Sequence, residues 1–327
     1  MAADVPRSLL ERRIVIVTGK GGTGKTTVAA ALAVAGARAG KRVLVAEMAH
    51  DEQISQLLAP GSPPAGYAGR TVTSGVEAMR IDPFEALSEY LTLQIGVRPL
   101  VKSVMNAHAF RQLMSASPGW RELITLGKIW HLEQMQEARG RLRYDLIIVD
   151  APATGHGVTF LDIPRVVVSA VRAGPLHQQT ERVEALITDP DRTVLLPVTL
   201  AEELPTRETV ELVERVRSDV GIAVDRVVVN GVEPSPFPEG LADLDECLLR
   251  LPDTTHLGAI PPPSTLAACA SFLRARHELN RGFVAKIAQL TGLPVVLLPH
   301  LHRGIEGPRA IERLAEPLVG APQPEAA

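Results

Sequence analysis

Two lysines stand five residues apart in the stretch GKGGTGKTT, residues 19–27, each preceded by a glycine. Gly19, Gly24, Lys25 and Thr26 fill the spacing G-x-x-x-x-G-K-[ST]. Gly21 and Gly22 add two more residues without a Cβ, and Thr23 and Thr27 complete the run. Such a loop turns successive backbone N–H groups inward as a nest for an anion, at a helix N-terminus that already favours negative charge. The chemistry is that of holding a phosphate chain: Lys25 meets the β- and γ-phosphates, and the Thr26 hydroxyl ligates Mg²⁺. Lys20 is then one cation too many. A second ammonium facing the same phosphates from the same side repels the first, unless more negative charge is present than one nucleotide face offers. One solution is that Lys20 points away from its own nucleotide and completes the site of a second subunit.

The elements around the loop must supply its geometry. RRIVIVT before it is short, β-branched and apolar, the pattern of a strand buried on both faces. TTVAAALAVAGARAG after it is alanine-rich, free of proline and closed by Gly40, which predicts a helix with a glycine stop. Further strand patterns follow at 41–47, 76–81, 144–150, 193–199, 225–230 and 293–299, with helical patterns between most of them, as at 206–220 and 271–290. That alternation predicts an α/β fold with a mostly parallel sheet covered by helices on both faces. YDLIIVD ends in Asp150, which places a carboxylate beside the magnesium and its waters. The small residues after it predict a mobile loop that senses the γ-phosphate.

Composition excludes other classes. The chain has 327 residues, is 46% hydrophobic and carries a net charge of −3, enough for one large α/β domain and without the basic surface that nucleic acid requires. Cys247 and Cys269 form no C-x-x-C pair, which argues for a reducing compartment and against structural zinc. No apolar run reaches the ~18–20 residues that span a bilayer, and the first residues lack a signal peptide's apolar core. The expectation is a cytoplasmic protein, with association at a membrane periphery left open. The ATPase domain is expected over 1–319 with a polar tail at 320–327. From Asp82 to about Gly140 only helical patterns occur, so the sequence predicts a helical insert at 82–140. It holds Trp120, Trp130, Met105, Met114 and Met135, a composition suited to adaptable apolar binding or to closing the insert's own core.

KGGTGKTT resembles the deviant Walker A loop of the P-loop family that contains MinD, ParA, the nitrogenase iron protein and the arsenite-pump ATPases. In that family the early lysine reaches across a dimer interface, and Lys20 is its match. DAPATGH…FLDIP (150–164) narrows the resemblance to the ArsA-type branch of arsenite-pump and tail-anchored-protein-targeting ATPases. Asp150, Thr154, Gly155, His156, Leu161 and Pro164 match its switch segment, while Ala151, Pro152 and Ala153 permute its T-A-P. PGWRELITLGKI (118–129) and TDPDRTVLLPVTLAEELPTRET (188–209) are similar to further branch motifs. VVVNG (227–231) and LLPHLHRGIEG (297–307) are similar to its adenine-side elements, which implies Asn230 and Pro299 near the base.

The departures bear on function. EMAHD (47–51) keeps Ala49 and His50 but puts Glu47 where the branch has the aspartate that positions the attacking water. His50 and His156 are expected to make loop hydrogen bonds rather than bind metal. The pump's clustered metalloid thiols and the targeting factors' C-x-x-C clasp are both missing. The resemblance implies an ATPase with ATP and Mg²⁺, a dimer with itself or a paralogous ATPase, and a switch that captures or releases a client protein or membrane partner. Lys20, Lys25, Glu47 and Asp150 are the candidate catalytic residues. ATPase-driven anion or metalloid export and a non-hydrolysing ATP-gated scaffold remain the alternatives.

Overall fold

Apolar residues fill both faces of strand β1 (Ile14–Gly19), and the chain packs the whole sheet around it. The computed structural model describes residues 8–49, 51–116, 119–137, 140–170, 173–235, 244–253, 261–305 and 307–320. After β1 comes helix α1 (Lys25–Arg38), then β2 (Val43–Glu47), the short α2 (Ile54–Leu58), β3 (Arg70–Thr73) and β4 (Val76–Arg80). Four helices follow in succession: α3 (Pro83–Ile95), α4 (Arg98–Asn106), α5 (His108–Ala116) and α6 (Trp120–Gln134). The chain then alternates through β5 (Leu146–Ala153), α7 (Thr154–Ala170), α8 (Pro175–Thr188), β6 (Thr193–Leu200), α9 (Glu203–Arg215) and β7 (Val227–Val232). It closes with α10 (Leu244–Leu249), α11 (Pro263–Thr291), β8 (Val295–Pro299) and α12 (Pro308–Val319).

The eight strands lie in the order β3-β4-β2-β5-β1-β6-β7-β8. All neighbouring pairs are parallel except β3 with β4. The chain leaves β1 toward β2 on one side and later toward β6 on the other. The sheet therefore has a topological switch point at β1, where open α/β sheets bind ligands beyond their strand C-termini. Alternate residues of the strands feed two cores. Ile14, Ile16, Leu44, Ile147 and Val149 pack with residues of α6–α9 and α11, whereas Val15, Val17, Val43, Val45 and Ile148 pack with α1, α2 and α12. The buried residues of α1 are mostly small: Ala29, Ala30, Ala31 and Ala33 join Val28 and Leu32 at 0% exposure, so the helix sits close upon the sheet. At Gly36 a Cβ would come 2.8 Å from Val43 Cγ2.

The seven strand patterns of the sequence each overlap an observed strand. β3 has no counterpart among them. It is a four-residue antiparallel edge strand of polar sequence, RTVT, so neither an apolar run nor a helical connection marks it. The loop expected after Asp150 is not a loop. β5 continues to Ala153, where it still pairs with Gly19 past an irregularity in register, and α7 starts at the next residue. Alanine and threonine accept both conformations, and pairing with the last residue of β1 holds the strand for longer than the apolar pattern lasts. His50, Pro118 and residues 321–327 lie outside the described residues, and for His156 the backbone alone is described. Among the described residues, no helix is long and apolar enough to cross a membrane.

Glu133 ties the α3–α6 segment to the sheet. At 4% exposure, its carboxylate meets Arg13 Nε at 3.2 Å and Arg192 at 2.7 Å, from residues preceding β1 and β6. Its loss leaves two cations competing for what remains, although both arginines are partly exposed and are thereby screened. Glu133→Ala should destabilise the protein by about 2–3 kcal/mol in urea unfolding. A midpoint unchanged from wild type would show that α6 is held by its apolar face alone.

Candidate active site

The glycine loop begins at the last residue of β1 and hands over directly to α1. Two of its glycines are required by their surroundings. At Gly19, with φ +152°, a Cβ would lie 2.0 Å from the carbonyl oxygen of Val198 on β6. At Gly24, which precedes α1 with φ +89°, a Cβ would lie 2.2 Å from Asn230 Nδ2. Asn230 itself donates to the Thr23 carbonyl at 2.9 Å, so β7 holds the loop from the side. Thr23 is buried, and its hydroxyl donates to the Lys20 carbonyl at 2.9 Å. That carbonyl also accepts from Lys25 Nζ at 3.1 Å.

Around the start of α1 the structure brings together Lys25, Thr26, Asp150 and Glu47. Thr26 Oγ1 donates to Asp150 Oδ2 at 2.7 Å. Asp150, in β5, and Glu47, at the end of β2, are paired neighbours in register, exposed by only 4% and 1%. Burial raises the Asp150 carboxyl above its ordinary range, against the pull of the Thr26 hydroxyl and the Lys25 charge. Burial also lowers Lys25, with Asp150 opposing it. Glu47 is pushed up to about 7, chiefly by burial and further by the Asp150 charge, while two backbone N–H groups hold it down. Those donors are Gln53 at 2.7 Å and Ile54 at 3.0 Å, both to Oε1, so Glu47 caps α2 from a neighbouring strand. The other oxygens, Glu47 Oε2 and Asp150 Oδ1, are buried without a hydrogen-bond partner. Two orphaned carboxylate oxygens beside a threonine hydroxyl form an all-oxygen donor set, which fits a hard cation such as Mg²⁺.

Lys20 stands apart from this group. Its Nζ lies 2.9 Å from Glu208 Oε1 on α9, in a half-exposed pair. Gly21 and Gly22 are exposed at the turn of the loop, and Thr27 is half-buried in the first turn of α1. Pro299 ends β8, opposite Val232. Asn230 spends its amide nitrogen on the loop backbone, a use that the sequence did not suggest. Sequence reasoning also missed Glu208 as the partner of Lys20, because nothing in linear order links residues 188 positions apart. A cleft of about 500 Å³ opens beside the carboxylates, lined by Met48, Ala49, Pro152 and Phe160 on one side and Phe84, Arg121 and Thr125 on the other. It joins the ends of β2 and β5 to α3 and α6.

A strand, glycine loop and helix at the switch point of a mostly parallel, helix-flanked sheet define a P-loop nucleoside triphosphatase. The sequence profile of the anion-transporting ATPase family matches residues 12–174. The chain is 34% identical to the ATPase BagA of Mycobacterium tuberculosis over 311 residues, covering 89% of each protein. It is 30% identical to an arsenical pump-driving ATPase of Escherichia coli over 67% of this chain and 39% of that one. It is also 25% identical to the ATPase GET3 of Kluyveromyces lactis over 70% and 74% of the two chains. The chain belongs to the anion-transporting ATPase family and is a nucleotide-binding ATPase.

The Glu47 environment predicts a pH dependence in protein free of nucleotide and metal. Unfolded, this carboxyl ionises near its ordinary 4.5, and folded near 7, so between the two the native state holds the extra proton. Stability should therefore fall as pH rises through that window, by on the order of 3 kcal/mol at most. Glu47→Gln cannot ionise and should flatten this part of the curve when urea midpoints are compared at pH 5 and pH 8. Equal slopes in both proteins would assign the pH dependence to other groups.

Proposed function

We propose that this ATPase is a nucleotide-driven switch: ATP with Mg²⁺ binds at the glycine loop, hydrolysis follows there, and the change is passed to the α3–α6 segment, which captures or releases an apolar client. The observation that carries the reading is the convergence of Lys25, Thr26, Asp150 and Glu47 beside a cleft whose far wall is α3 and α6. In this reading residues 19–27 cradle the phosphates with their backbone N–H groups, and Lys25 leaves the Lys20 carbonyl for the β- and γ-phosphates. Thr26 ligates Mg²⁺, and Asp150 holds the ion's water shell. The ion neutralises charge on the phosphates, as it does generally in such sites. Glu47 orients the attacking water through Oε2 and, when ionised, accepts a proton from it. Asn230 fixes the loop, and Pro299 lies on the base side.

Lys20 reaches the phosphates of a second copy, or of a paralogous ATPase, once Glu208 releases it. The dimer then closes only around bound nucleotide, which makes the client site depend on the hydrolytic state. A single P-loop ATPase domain spans residues 1–319, with the helical segment at about 82–140 as its client surface. That segment exposes Leu93 (64%), Val97 (50%) and Leu100 (51%), and a groove of about 270 Å³ lined in part by Leu93, Leu123, Trp130 and Val183 runs beside them. Contiguous apolar exposure of this kind marks an interaction surface. Met105 and Met114 are half-buried, so the exposed leucines and valine are the better probes, and the Leu113 side chain lies outside the described residues. Cys247 and Cys269 are free and exposed, which lends no support to a buried thiolate site for metalloid.

Lys25→Ala should abolish ATP binding in calorimetry, whereas Lys20→Ala should keep most of the affinity yet lose nucleotide-dependent dimerisation and turnover. Normal turnover by Lys20→Ala would refute the cross-subunit role, and unchanged affinity in Lys25→Ala would refute the phosphate assignment.

Client capture is tested separately. Leu93→Gln combined with Leu100→Gln should leave ATP binding intact and lower the capture of an apolar helical peptide at least tenfold. Loss of folding instead, seen by circular dichroism, would mean that these side chains close the segment's own core.

A further inference from the structure

Glu233 follows β7 directly, and His300 and His302 follow β8, so two adjacent parallel strands deliver a carboxylate and two imidazoles to one place. The Glu233 side chain is 5% exposed, yet its side-chain partners among the described residues are these two histidines and no other group. His300 Nδ1 lies 3.2 Å from Oε2, and His302 Nε2 lies 3.0 Å from Oε1. The donor atoms of all three residues fall within 4.8 Å of one another. The backbone around them is fixed as well. Glu233 N–H donates to Asn280 Oδ1 at 2.9 Å, the His300 N–H donates to the Val232 carbonyl at 2.8 Å, and His277 Nδ1 lies 2.8 Å from the Glu233 carbonyl oxygen.

A carboxylate removed from water needs a cation beside it. Neutral imidazoles supply none. Two protonated ones would set like charges side by side, with ring centroids 4.9 Å apart. A single imidazolium beside a neutral ring would also balance the carboxylate, but a divalent ion both neutralises it and uses the lone pairs of the two neutral imidazoles. We infer that Glu233, His300 and His302 form a three-ligand site for a borderline transition-metal ion of the Zn²⁺ class. Two ligands at about 2.1 Å from a tetrahedral ion stand roughly 3.4 Å apart, so the two histidine–carboxylate separations of 3.2 and 3.0 Å need only a few tenths of an ångström of relaxation. The imidazoles can give it, since His300 is 47% and His302 58% exposed. That exposure also leaves the fourth position to water. Two histidines with one carboxylate, one position open, is a donor set that binds zinc, cobalt and ferrous iron but gives magnesium little. The site is therefore chemically distinct from the all-oxygen set at Thr26, Asp150 and Glu47. An ion here would clamp the segment after β7 to the segment after β8, on the flank where Asn230 holds the glycine loop.

The test uses the full chain, stripped with chelator and kept free of nucleotide so that phosphates do not compete for the metal. Calorimetric titration with Zn²⁺ should give one ion per chain, and Co²⁺ should produce visible d–d absorption. His300→Ala and His302→Ala alter exposed side chains and should keep the fold. Each should weaken Zn²⁺ binding about 100-fold or more, beyond what loss of an outer-shell partner costs, and abolish the Co²⁺ bands. A Cys247→Ser, Cys269→Ser double variant should bind as wild type does. Absence of Zn²⁺ uptake by the wild type would overturn the site. So would histidine variants that bind unchanged, or cysteine variants that lose the metal.

Discussion

Two carboxylates buried side by side on neighbouring strands set the terms for the rest of this site. Glu47 and Asp150 cannot both hold full charge in such a place without compensation. The surrounding residues read as that compensation: the Thr26 hydroxyl on Asp150, the Lys25 charge near it, and two α2 N–H groups on Glu47. What remains uncompensated is one oxygen of each, Glu47 Oε2 and Asp150 Oδ1, donors of the kind a hard cation takes. The parallel sheet makes the arrangement unavoidable. Because β2 and β5 run parallel in register, Glu47 at the end of β2 stands beside Asp150, three residues before β5 ends at Ala153.

The replacement of the family's aspartate by Glu47 gains a local meaning here. One oxygen of the longer side chain is committed to the start of α2 while the other stays unpartnered. A group that caps a helix and also orients water would connect the chemistry to the position of α2 without any further contact. The cleft lined by Met48, Pro152, Phe84 and Arg121 extends the same connection toward α3 and α6.

Much of this was legible in the sequence. The strands of the parallel sheet announce themselves as apolar runs, since both of their faces are buried, and the glycine loop has a spacing that chance seldom produces. β3 escaped because it is short, polar and at the edge. The continuation of β5 to Ala153 escaped because small residues carry no pattern and pairing with Gly19 decides the matter. Lys25, Thr26 and Asp150, which the structure brings together, were singled out by motif. Their couplings were not, because the Lys20–Glu208 pair, the Asn230 brace and the Glu233–histidine group join residues that only the topology brings together. The one hint for the last was the H-x-H spacing after Pro299, which read as part of an adenine-side motif.

The alanine face of α1 has a mechanical consequence. Beside Val28 and Leu32 the buried residues of this helix are mostly alanines, and Ala29, Ala30, Ala31 and Ala33 have no χ angles to yield, while the missing Cβ of Gly36 leaves no slack against Val43. The helix thus behaves as a stiff strut in a close-packed wall. Any displacement imposed at its first turn is carried along its whole length instead of dying out in the core. It arrives at α12, whose Ile311, Leu314 and Leu318 share that core, more than a hundred residues away in sequence and on the far side of the sheet from α6.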